Sequence, residues 1–430
     1  MQNRVLVLDR NKQPLMPCHP ARARALLKAG KAAVFRKFPF TLILKEREGG
    51  AVQETRVKLD PGSKVTGIAM VAEFLRRGAI VVWAAELTHR GWAIKKSLEQ
   101  RKRHRSFRRS RLRYRPARYL NRTNPMGWLP PSLQHRVDTT LTWVRKLARW
   151  APVTALSQEL VRFDTQVMQN PEISGAEYQQ GTLQGYEIRE YLLEKWGREC
   201  AYCGAENVPF EIDHIHPRSR GGSNRISNLT LACHGCNQRK GNMLVEQFLT
   251  RNPERLRRIL AQAKAPLRDA AAVNSTRWAL YRGLKATGLP VEVGTGGRTK
   301  YNRTHQGYTK AHWIDAACVG ESGGSVRLPI GQSILLLKAM GHGKRQRTRL
   351  NKYGFPVTYK VVTKFSWGFQ TGDIVKALIT RGKFIGTYTS RVVVRAKPSF
   401  TLSHKVLEGI FKVHPKNLTI LHRNDGYSYL

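Results

Sequence analysis

Acidic residues are scarce in this sequence of 430 residues, which has 29 Asp and Glu against 75 Lys and Arg and a net charge of +46 at pH 7. Such a chain repels itself unless a polyanion balances it, and one phosphate per nucleotide gives balance at about 46 nucleotides. Long apolar runs are also missing, since none approaches the roughly 18 residues of a membrane span. Met1–Arg10 lacks the apolar stretch of a signal peptide. The sequence therefore predicts a soluble, cytoplasmic partner of nucleic acid with no membrane association.

Cysteine is scarce as well, and four of the six cysteines form two close pairs, Cys200 with Cys203 and Cys233 with Cys236. Two C-x-x-C pairs in a chain without an export signal suit a tetrahedral Zn²⁺ site better than disulfide bonds, because reducing compartments keep thiolates available. A pair of redox dithiols is the alternative interpretation. The segment between the pairs is longer than the spacer of a simple zinc ribbon, so we expect a further structure there.

The segment between the cysteine pairs has the pattern of a small metal-dependent nuclease. An apolar strand ends in Asp213 and His214, a Gly-rich turn follows, and a second strand leads from Asn228 to a helix that carries Asn237. Carboxylate and amide oxygens suit a hard cation, so we expect Asp213 and Asn237 to bind Mg²⁺. His214 is the expected general base, and Asn228 is expected to hydrogen-bond and orient it. This spacing resembles the zinc-stapled HNH endonucleases, which have a ββα-metal fold.

A second set of acidic residues ends strands elsewhere in the chain. Asp60 follows an apolar strand and precedes a Gly-containing turn, and Glu159 ends another strand. His312 and Asp315 lie three residues apart on a predicted helix, where Cβ atoms are about 5–6 Å from each other. Three carboxylates from separate elements are what two Mg²⁺ ions about 4 Å apart require, and His312 would assist proton transfer. The order Asp, Glu, His-x-x-Asp resembles the RuvC branch of RNase H-like nucleases, split into three sequence blocks.

The strongest run of positive charge lies between Lys95 and Arg122, where Glu99 is the only acidic residue. A helix that is basic on every face cannot pack on an apolar core, and the alternative of a merely solvated face predicts interspersed Glu. We therefore expect this helix, and the short basic strands predicted over residues 326–430, to contact nucleic acid. The arginines expected to do so are Arg101, Arg105, Arg108, Arg109, Arg111 and Arg115.

Periodicity also predicts the elements at the start of the chain. A strand over residues 4–8, a helix over 20–28 and a strand over 33–44 form an N-terminal βαβ unit. Three successive strands over residues 56–60, 66–71 and 79–86 are expected to form an antiparallel meander.

Together these parts resemble the IscB family, transposon-encoded relatives of the CRISPR type II effectors. Three further motifs carry the resemblance: Pro14-Leu-Met-Pro17, the segment 191–198 and the segment 296–303. The implied fold is α/β multidomain, with an RNase H-like (RuvC) core split into three blocks, an inserted HNH domain, an Arg-rich bridge helix and a C-terminal basic β-barrel. The implied domains are 1–52 (PLMP), 53–92 (RuvC block I), 93–125 (bridge helix), 126–187 (RuvC block II and connector), 188–247 (HNH), 248–325 (RuvC block III) and 326–430 (C-terminal).

The resemblance further implies an RNA-guided double-stranded DNA endonuclease. Its partners would be a guide RNA, the ωRNA, and a DNA target whose adjacent motif is read by the C-terminal region. The HNH site at His214 would cut the guide-paired strand and the RuvC site at Asp60 the displaced strand. It further implies two Mg²⁺ ions at the RuvC site, one at the HNH site, a structural Zn²⁺ and a monomeric protein within a bacterial or archaeal ribonucleoprotein.

Two other function classes use the same residues differently. An RNA-independent homing-type or junction-resolving endonuclease would keep both sites without needing so basic a helix. A zinc-ribbon nucleic-acid-binding regulator would catalyse no hydrolysis and leaves the order of Asp60, Glu159 and Asp315 unexplained. His216 and His234 receive no role from the sequence.

Overall fold

The computed structural model of the protein describes most of the chain. The described residues are 3–110, 128–160, 192–193, 195–206, 208–263, 268–329, 331, 333–341, 347–353, 355–360, 365–382, 385–395, 398–404 and 409–429. Arg111, Arg115 and residues 161–187 of the predicted RuvC block II and connector lie outside them. Of the helices described, none combines the length and the apolar character that crossing a bilayer requires.

The N-terminal unit is a four-stranded sheet with one helix. Its elements are β1 (Val5–Leu8), β2 (Pro14–Cys18), α1 (Pro20–Lys28), β3 (Ala32–Arg36) and β4 (Thr41–Leu44), with strand order β2-β1-β4-β3. The predicted helix is confirmed. The single strand predicted over residues 33–44 is wrong, because the chain turns at residues 37–40 and returns as the antiparallel hairpin β3–β4. Pro39 lies in that turn, where its missing N–H interrupts no strand pairing.

A larger sheet begins with the predicted antiparallel meander, which is confirmed. Helices and a parallel strand follow it before the chain enters the cysteine-bearing region. The elements are β5 (Thr55–Pro61), β6 (Val65–Phe74), β7 (Gly78–Thr88), α2 (Gly91–Arg109), α3 (Pro131–Trp150) and β8 (Ala155–Glu159).

The cysteine-bearing region folds around its own apolar core. Its elements are β9 (Phe210–His214), β10 (Leu229–Cys233), α4 (His234–Lys240), α5 (Val245–Phe248) and α6 (Pro253–Ala263). β9 and β10 form a two-stranded antiparallel sheet, and α4 starts at the residue after β10. The two strands and following helix expected between the cysteine pairs are therefore confirmed.

The chain then returns to the larger sheet. The elements are α7 (Arg268–Lys285), β11 (Val291–Gly294), α8 (Gly296–His305), α9 (His312–Ala317), β12 (Val326–Arg327) and β13 (Leu335–Ala339). β11 pairs parallel with β8, while β12 and β13 pair parallel with β7. These last two strands belong to the larger sheet, although the sequence assigned them to a C-terminal domain starting at residue 326.

The C-terminal region adds a second open sheet. The strands are β14 (Arg347–Leu350), β15 (Pro356–Lys360), β16 (Ile374–Ile379), β17 (Gly386–Val393), β18 (Phe400–His404), β19 (Gly409–Val413), β20 (Leu418–His422) and β21 (Tyr427–Tyr429). Five of them form a sheet of order β19-β18-β17-β16-β20, and no pairing in the described residues joins its outer strands into the predicted barrel. β21 returns to pair with β13, so the larger sheet has the order β11-β8-β5-β6-β7-β13-β21. The short strand β12 also pairs with β7, at the other end of that strand from β13.

Helices cover both faces of the larger sheet. On one face, apolar side chains of α3 and α7 pack against the strands, with Trp83 and Trp143 stacked at 6.3 Å between ring centroids. On the other face, Ala316 and Ala317 of α9 pack on small residues such as Ala69 and Ala84. This is a three-layer α/β arrangement, and the carboxylates of interest lie at the face that α9 covers.

Candidate functional sites

The four paired cysteines come together as the sequence predicts. Their sulfur atoms all lie within 4.8 Å of one another, and the Sγ atoms of Cys203 and Cys233 are 3.7 Å apart. Tetrahedral Zn²⁺ with Zn–S bonds of about 2.3 Å places its sulfur ligands about 3.8 Å apart. Burial raises the pKa of the Cys236 thiol to about 12, so a cation is needed to hold this sulfur as thiolate. The cluster fits one structural Zn²⁺.

Asp213 lies at the end of β9 and is held from two sides. Its Oδ2 accepts a hydrogen bond from the Tyr202 hydroxyl at 2.5 Å and lies 3.1 Å from Nζ of Lys240. Lys240 is fully buried in α4 and also donates to the carbonyl of His214 at 2.8 Å. Burial, and next the charge of Asp213, raise the pKa of Tyr202, so its hydroxyl stays a donor. A lysine ammonium therefore lies where the sequence predicts a metal ion.

Asn237, the other expected Mg²⁺ ligand, has a different carboxylate partner. Its Nδ2 donates to Glu211 at 2.5 Å, and Nδ1 of His234 is 2.8 Å from the other oxygen of the same carboxylate. No hydrogen bond joins Asn237 to Asp213 in the described part of this domain. Glu211, which the sequence did not suggest, therefore lies beside Asn237, and the two-residue period of a strand places it on the same face of β9 as Asp213.

His214, the expected general base, is oriented by a residue that the sequence did not suggest. Its Nε2 is 2.8 Å from Oδ1 of Asn224, and because an amide oxygen accepts, Nε2 is the donor. The predicted hydrogen bond from Asn228 to His214 is wrong. Asn228 lies in a 3₁₀ turn, Ile226–Asn228, and bonds the backbone N–H and carbonyl of His216 and the carbonyl of Ser223. It therefore fixes the loop between the two strands rather than the imidazole.

The second set of carboxylates forms a row across the larger sheet. β5 and β8 run parallel with Leu59 opposite Gln158, so the next residues, Asp60 and Glu159, are neighbours. On the other side of Asp60, the pairing leads to Gly67 on β6 and from there to Glu86 on β7. The sequence missed Glu86, although the register of the predicted meander would have placed it beside Gly67.

Gly67 lets a helix approach this row closely. A Cβ atom at this position would lie 1.8 Å from the carbonyl oxygen of His312, which only glycine avoids. α9 consequently rests on the row with Nδ1 of His312 at 3.7 Å from a carboxylate oxygen of Asp60. The structure therefore brings Asp60, Glu159, His312 and Asp315 around one cavity, as the sequence predicts.

This cavity has a volume of about 550 Å³ and also contains cations. The buried Arg277 of α7 lies 3.2 Å from Glu159, and the buried Arg303 of α8 lies 2.7 Å from Asp315. Sequence reasoning missed both arginines, since nothing in their local pattern marks the carboxylates that the fold brings to them. The remaining lining residues are Glu86, Gly62, Ser63, Leu193, Gly197, Arg198, Gly296, Thr299, Lys300, Lys310 and Ala311.

Electrostatics in the cavity favours an added cation. Burial raises the pKa of Asp315 and the nearby charge of Asp60 raises it further, against the opposing effect of Arg303. Hydrogen bonding to Asp60 raises the pKa of His312. A divalent cation relieves the mutual repulsion of buried carboxylates. Asp60, Glu159 and Asp315 therefore fit Mg²⁺, which would bind the carboxylate oxygens that do not contact the arginines.

The basic helix is described as far as its C-terminus at Arg109. Only its first residue, Gly91, is buried, while Arg101, Arg105 and Arg109 are exposed and Arg108 is half-buried. Trp92 and Phe107 are also exposed on it. The helix thus presents positive charge along its length, which suits a polyanion.

Two protein families match this chain. Residues 5–181 match the RRXRR protein family, and residues 200–243 match the HNH endonuclease family. No curated protein matches the sequence.

Among solved structures, the chain is similar to a type II-C Cas9 enzyme from Actinomyces naeslundii and to Streptococcus thermophilus Cas9 in complex with the GGAA PAM. Both are 13% identical to it, with TM-scores of 0.24 and 0.21. The matches cover 62% and 61% of this chain but only 59% and 32% of those proteins. Scores this low carry no argument about activity. The HNH match coincides with the four cysteines, the β9–β10 hairpin and α4, and this segment is therefore an HNH endonuclease domain.

Proposed function

We propose that this protein is an RNA-guided double-stranded DNA endonuclease that cuts each strand at a different site. The single observation that carries the proposal is the presence of two separate candidate sites, the HNH domain and the carboxylate cavity, in one chain of charge +46. One site cuts one strand at a time, so two sites suit a duplex.

The carboxylate cavity is proposed as a RuvC site on an RNase H-like core. The order β11-β8-β5-β6-β7 supports this, because the two pairings on one side of β5 are parallel and the two on the other side are antiparallel. When bound, Mg²⁺ would activate water and stabilise the leaving oxygen. Asp60, Glu159 and Asp315 would hold the two ions, while Arg277 and Arg303 fix Glu159 and Asp315. His312, beside Asp60, would carry a proton to or from the reacting oxygens.

At the HNH site, Nδ1 of His214 is the proposed acceptor of the proton from the attacking water. Asn224 holds the imidazole through Nε2, and Asn228 fixes the loop that carries Asn224. For a metal ion here, Asn237 stays a proposed ligand with Glu211 beside it. Asp213 fits this role poorly in the described arrangement, because Tyr202 and Lys240 contact its Oδ2 and the backbone N–H of His214 donates to its Oδ1.

The basic helix is proposed to hold a guide RNA, the ωRNA, and its duplex with target DNA through the phosphates. Backbone contacts position such a duplex without reading it, while base pairing selects the sequence. The C-terminal sheet is proposed to read the target-adjacent motif. The HNH site would cut the guide-paired strand and the carboxylate site the displaced one, in a monomeric ribonucleoprotein of the bacterial or archaeal cytoplasm.

The test is to purify the protein from a bacterial host, wash at high salt, and sequence any retained RNA. That RNA is then reprogrammed to a chosen 20-nucleotide sequence, about the length such guides pair. We expect Mg²⁺-dependent cleavage that follows the reprogrammed sequence. Cleavage of a fixed sequence by RNA-free protein would favour a homing-type or junction-resolving endonuclease, and binding without hydrolysis would favour a zinc-ribbon regulator.

A further inference from the structure

The cations that line the carboxylate cavity are of two kinds. Arg277 and Arg303 are buried and neutralise Glu159 and Asp315, as described above. Arg198, Lys300 and Lys310 also line the cavity, but they are partly or fully exposed. A cation at an open rim meets whatever enters the cavity, and a phosphodiester is the anion that a nuclease site admits.

Arg198 comes from the opposite domain to the carboxylates. It lies two residues before the zinc-cluster residue Cys200, in the turn that follows the buried Trp196 of the HNH core. Leu193 and Gly197 of the same segment line the cavity too. The HNH domain therefore forms part of the wall of the other site.

The backbone at this point is specialised. Gly197 and Arg198 have φ values of 65° and 59°, and the N–H of Arg198 donates to the carbonyl of Leu193 at 2.8 Å. The left-handed conformation is ordinary for glycine and uncommon for arginine, where it marks a position worth a functional explanation. This turn joins the cavity-lining residue Leu193 to Cys200 of the cysteine cluster.

A second contact joins the same two domains. Nζ of Lys300 on α8 lies 5.5 Å from the ring centroid of Phe210 on β9. Burial raises the pKa of Asp315, and the positive charges of Arg198 and Lys310 oppose that rise. The three rim cations thus line the cavity that contains Asp315, and Lys300 also contacts the HNH domain.

We propose that Arg198, with Lys300 and Lys310, binds the phosphate of the strand cut at the carboxylate site, so that the HNH domain supplies a substrate-binding residue to the other nuclease site. This inference rests on the proposed two-site function. A guanidinium matches two phosphate oxygens at once and stabilises charge that grows as water attacks phosphorus and the P–O bond breaks. The carboxylate site is then complete only while the HNH domain stays docked.

The test measures strand-specific nicking of end-labelled target duplex by the full ribonucleoprotein. Arg198→Asn removes the charge and keeps a residue that tolerates left-handed backbone, while Arg198→Lys keeps the charge without the two-oxygen geometry. In a His214→Ala background, we expect Arg198→Asn to slow nicking about 10- to 100-fold and Arg198→Lys to slow it less. In an Asp60→Ala background, Arg198→Asn should change nicking of the other strand less than about twofold.

Arg257→Asn is the matched control, because Arg257 is exposed on α6 of the same region and lines no part of the cavity. It should leave both rates unchanged. Equal slowing of both strands by Arg198→Asn, or no slowing at all, overturns the inference while leaving the two-site function intact. If the His214→Ala parent itself nicks neither strand, the proposed function falls first and the inference with it. Zinc content of each variant reports whether the HNH domain is folded.

Discussion

The two candidate sites are built in opposite ways. The HNH site lies within one continuous segment, residues 200–243, on a two-stranded sheet and a seven-residue helix fixed by four cysteines. The carboxylate site brings together Asp60 and Glu159 from strands of a wide sheet and Asp315 from a helix packed on it, and helices cover both faces of this sheet. A small domain buries too little apolar surface to fold alone and needs a metal, whereas a large sheet supplies its own stability.

Both sites also bury a lysine, and the two lysines differ in their partners. Lys240 of the HNH domain is paired with the carboxylate of Asp213. Lys58, two residues before Asp60, donates to the carbonyl of Val319 at 2.7 Å and has the carboxylate of Glu292 only as a nearby charge. Removing one partner of a buried ion pair lowers stability, because the other charge stays buried without a partner. Burying an ammonium group without a paired carboxylate costs free energy, so removing it can raise stability. The same residue type should therefore respond oppositely to substitution in the two domains.

The largest expected effect separates the two chemistries. Asp60→Ala should slow the cutting of one strand, and His214→Ala should slow the cutting of the other, each by at least about 100-fold. Each substitution removes a residue that takes part in only one of the two reactions. Nicking of duplex labelled on either strand measures both rates. If either substitution stopped both cuts equally, the two sites would not be independent.

Zinc removal should break the HNH site and leave the sheet intact. Cys236→Ser removes a buried ligand, so we expect loss of bound zinc and of cutting at the HNH site, because the small domain draws its stability from the metal. Zinc release is measured with a chromogenic chelator. Nicking at the carboxylate site should persist, slowed no further than by Arg198→Asn. Undiminished HNH cutting by the zinc-free variant would contradict the comparison.

Breaking the buried ion pair should have the next largest effect. Lys240→Met leaves Asp213 charged and without its ammonium partner, which we expect to lower the stability of the HNH domain by about 3–5 kcal/mol. The temperature of zinc release and limited proteolysis both report this domain. The double substitution Lys240→Met with Asp213→Asn removes the uncompensated charge and should recover part of the loss. A double variant no more stable than Lys240→Met would assign the loss to packing.

How far sequence predicts a site depends on whether its contacts are local. The clustering of the four cysteines and the strand–turn–strand–helix order follow from spacing in one short segment, and both are confirmed. The partners of Asp213 and Asn237 do not follow from it, because they depend on how α4 docks on β9. The grouping of Asp60, Glu159 and Asp315 required only the order of strands and one helix. Arg277 and Arg303 were missed because their partners lie far along the sequence.

The smallest expected effect concerns Lys58 and is a dependence of stability on pH. Burial lowers the pKa of Lys58 from an ordinary 10.5 to about 8, despite the favourable charge of Glu292. Between these two values the unfolded chain binds the proton more readily than the folded chain. The free energy of unfolding should therefore rise with pH across this window, by about 1–3 kcal/mol from this group.

Lys58→Met should remove that rise and should be as stable as the parent or more stable at pH 7, since Glu292 keeps Ser157, Ser322 and Arg56 as partners. Urea unfolding at pH 7 and pH 9.5, followed by tryptophan fluorescence, compares the two proteins. A loss at pH 7 as large as that expected for Lys240→Met would mean that Lys58 is stabilised by Glu292 as Lys240 is by Asp213. The two domains would then bury their lysines for the same reason, and the contrast between them would rest on zinc alone.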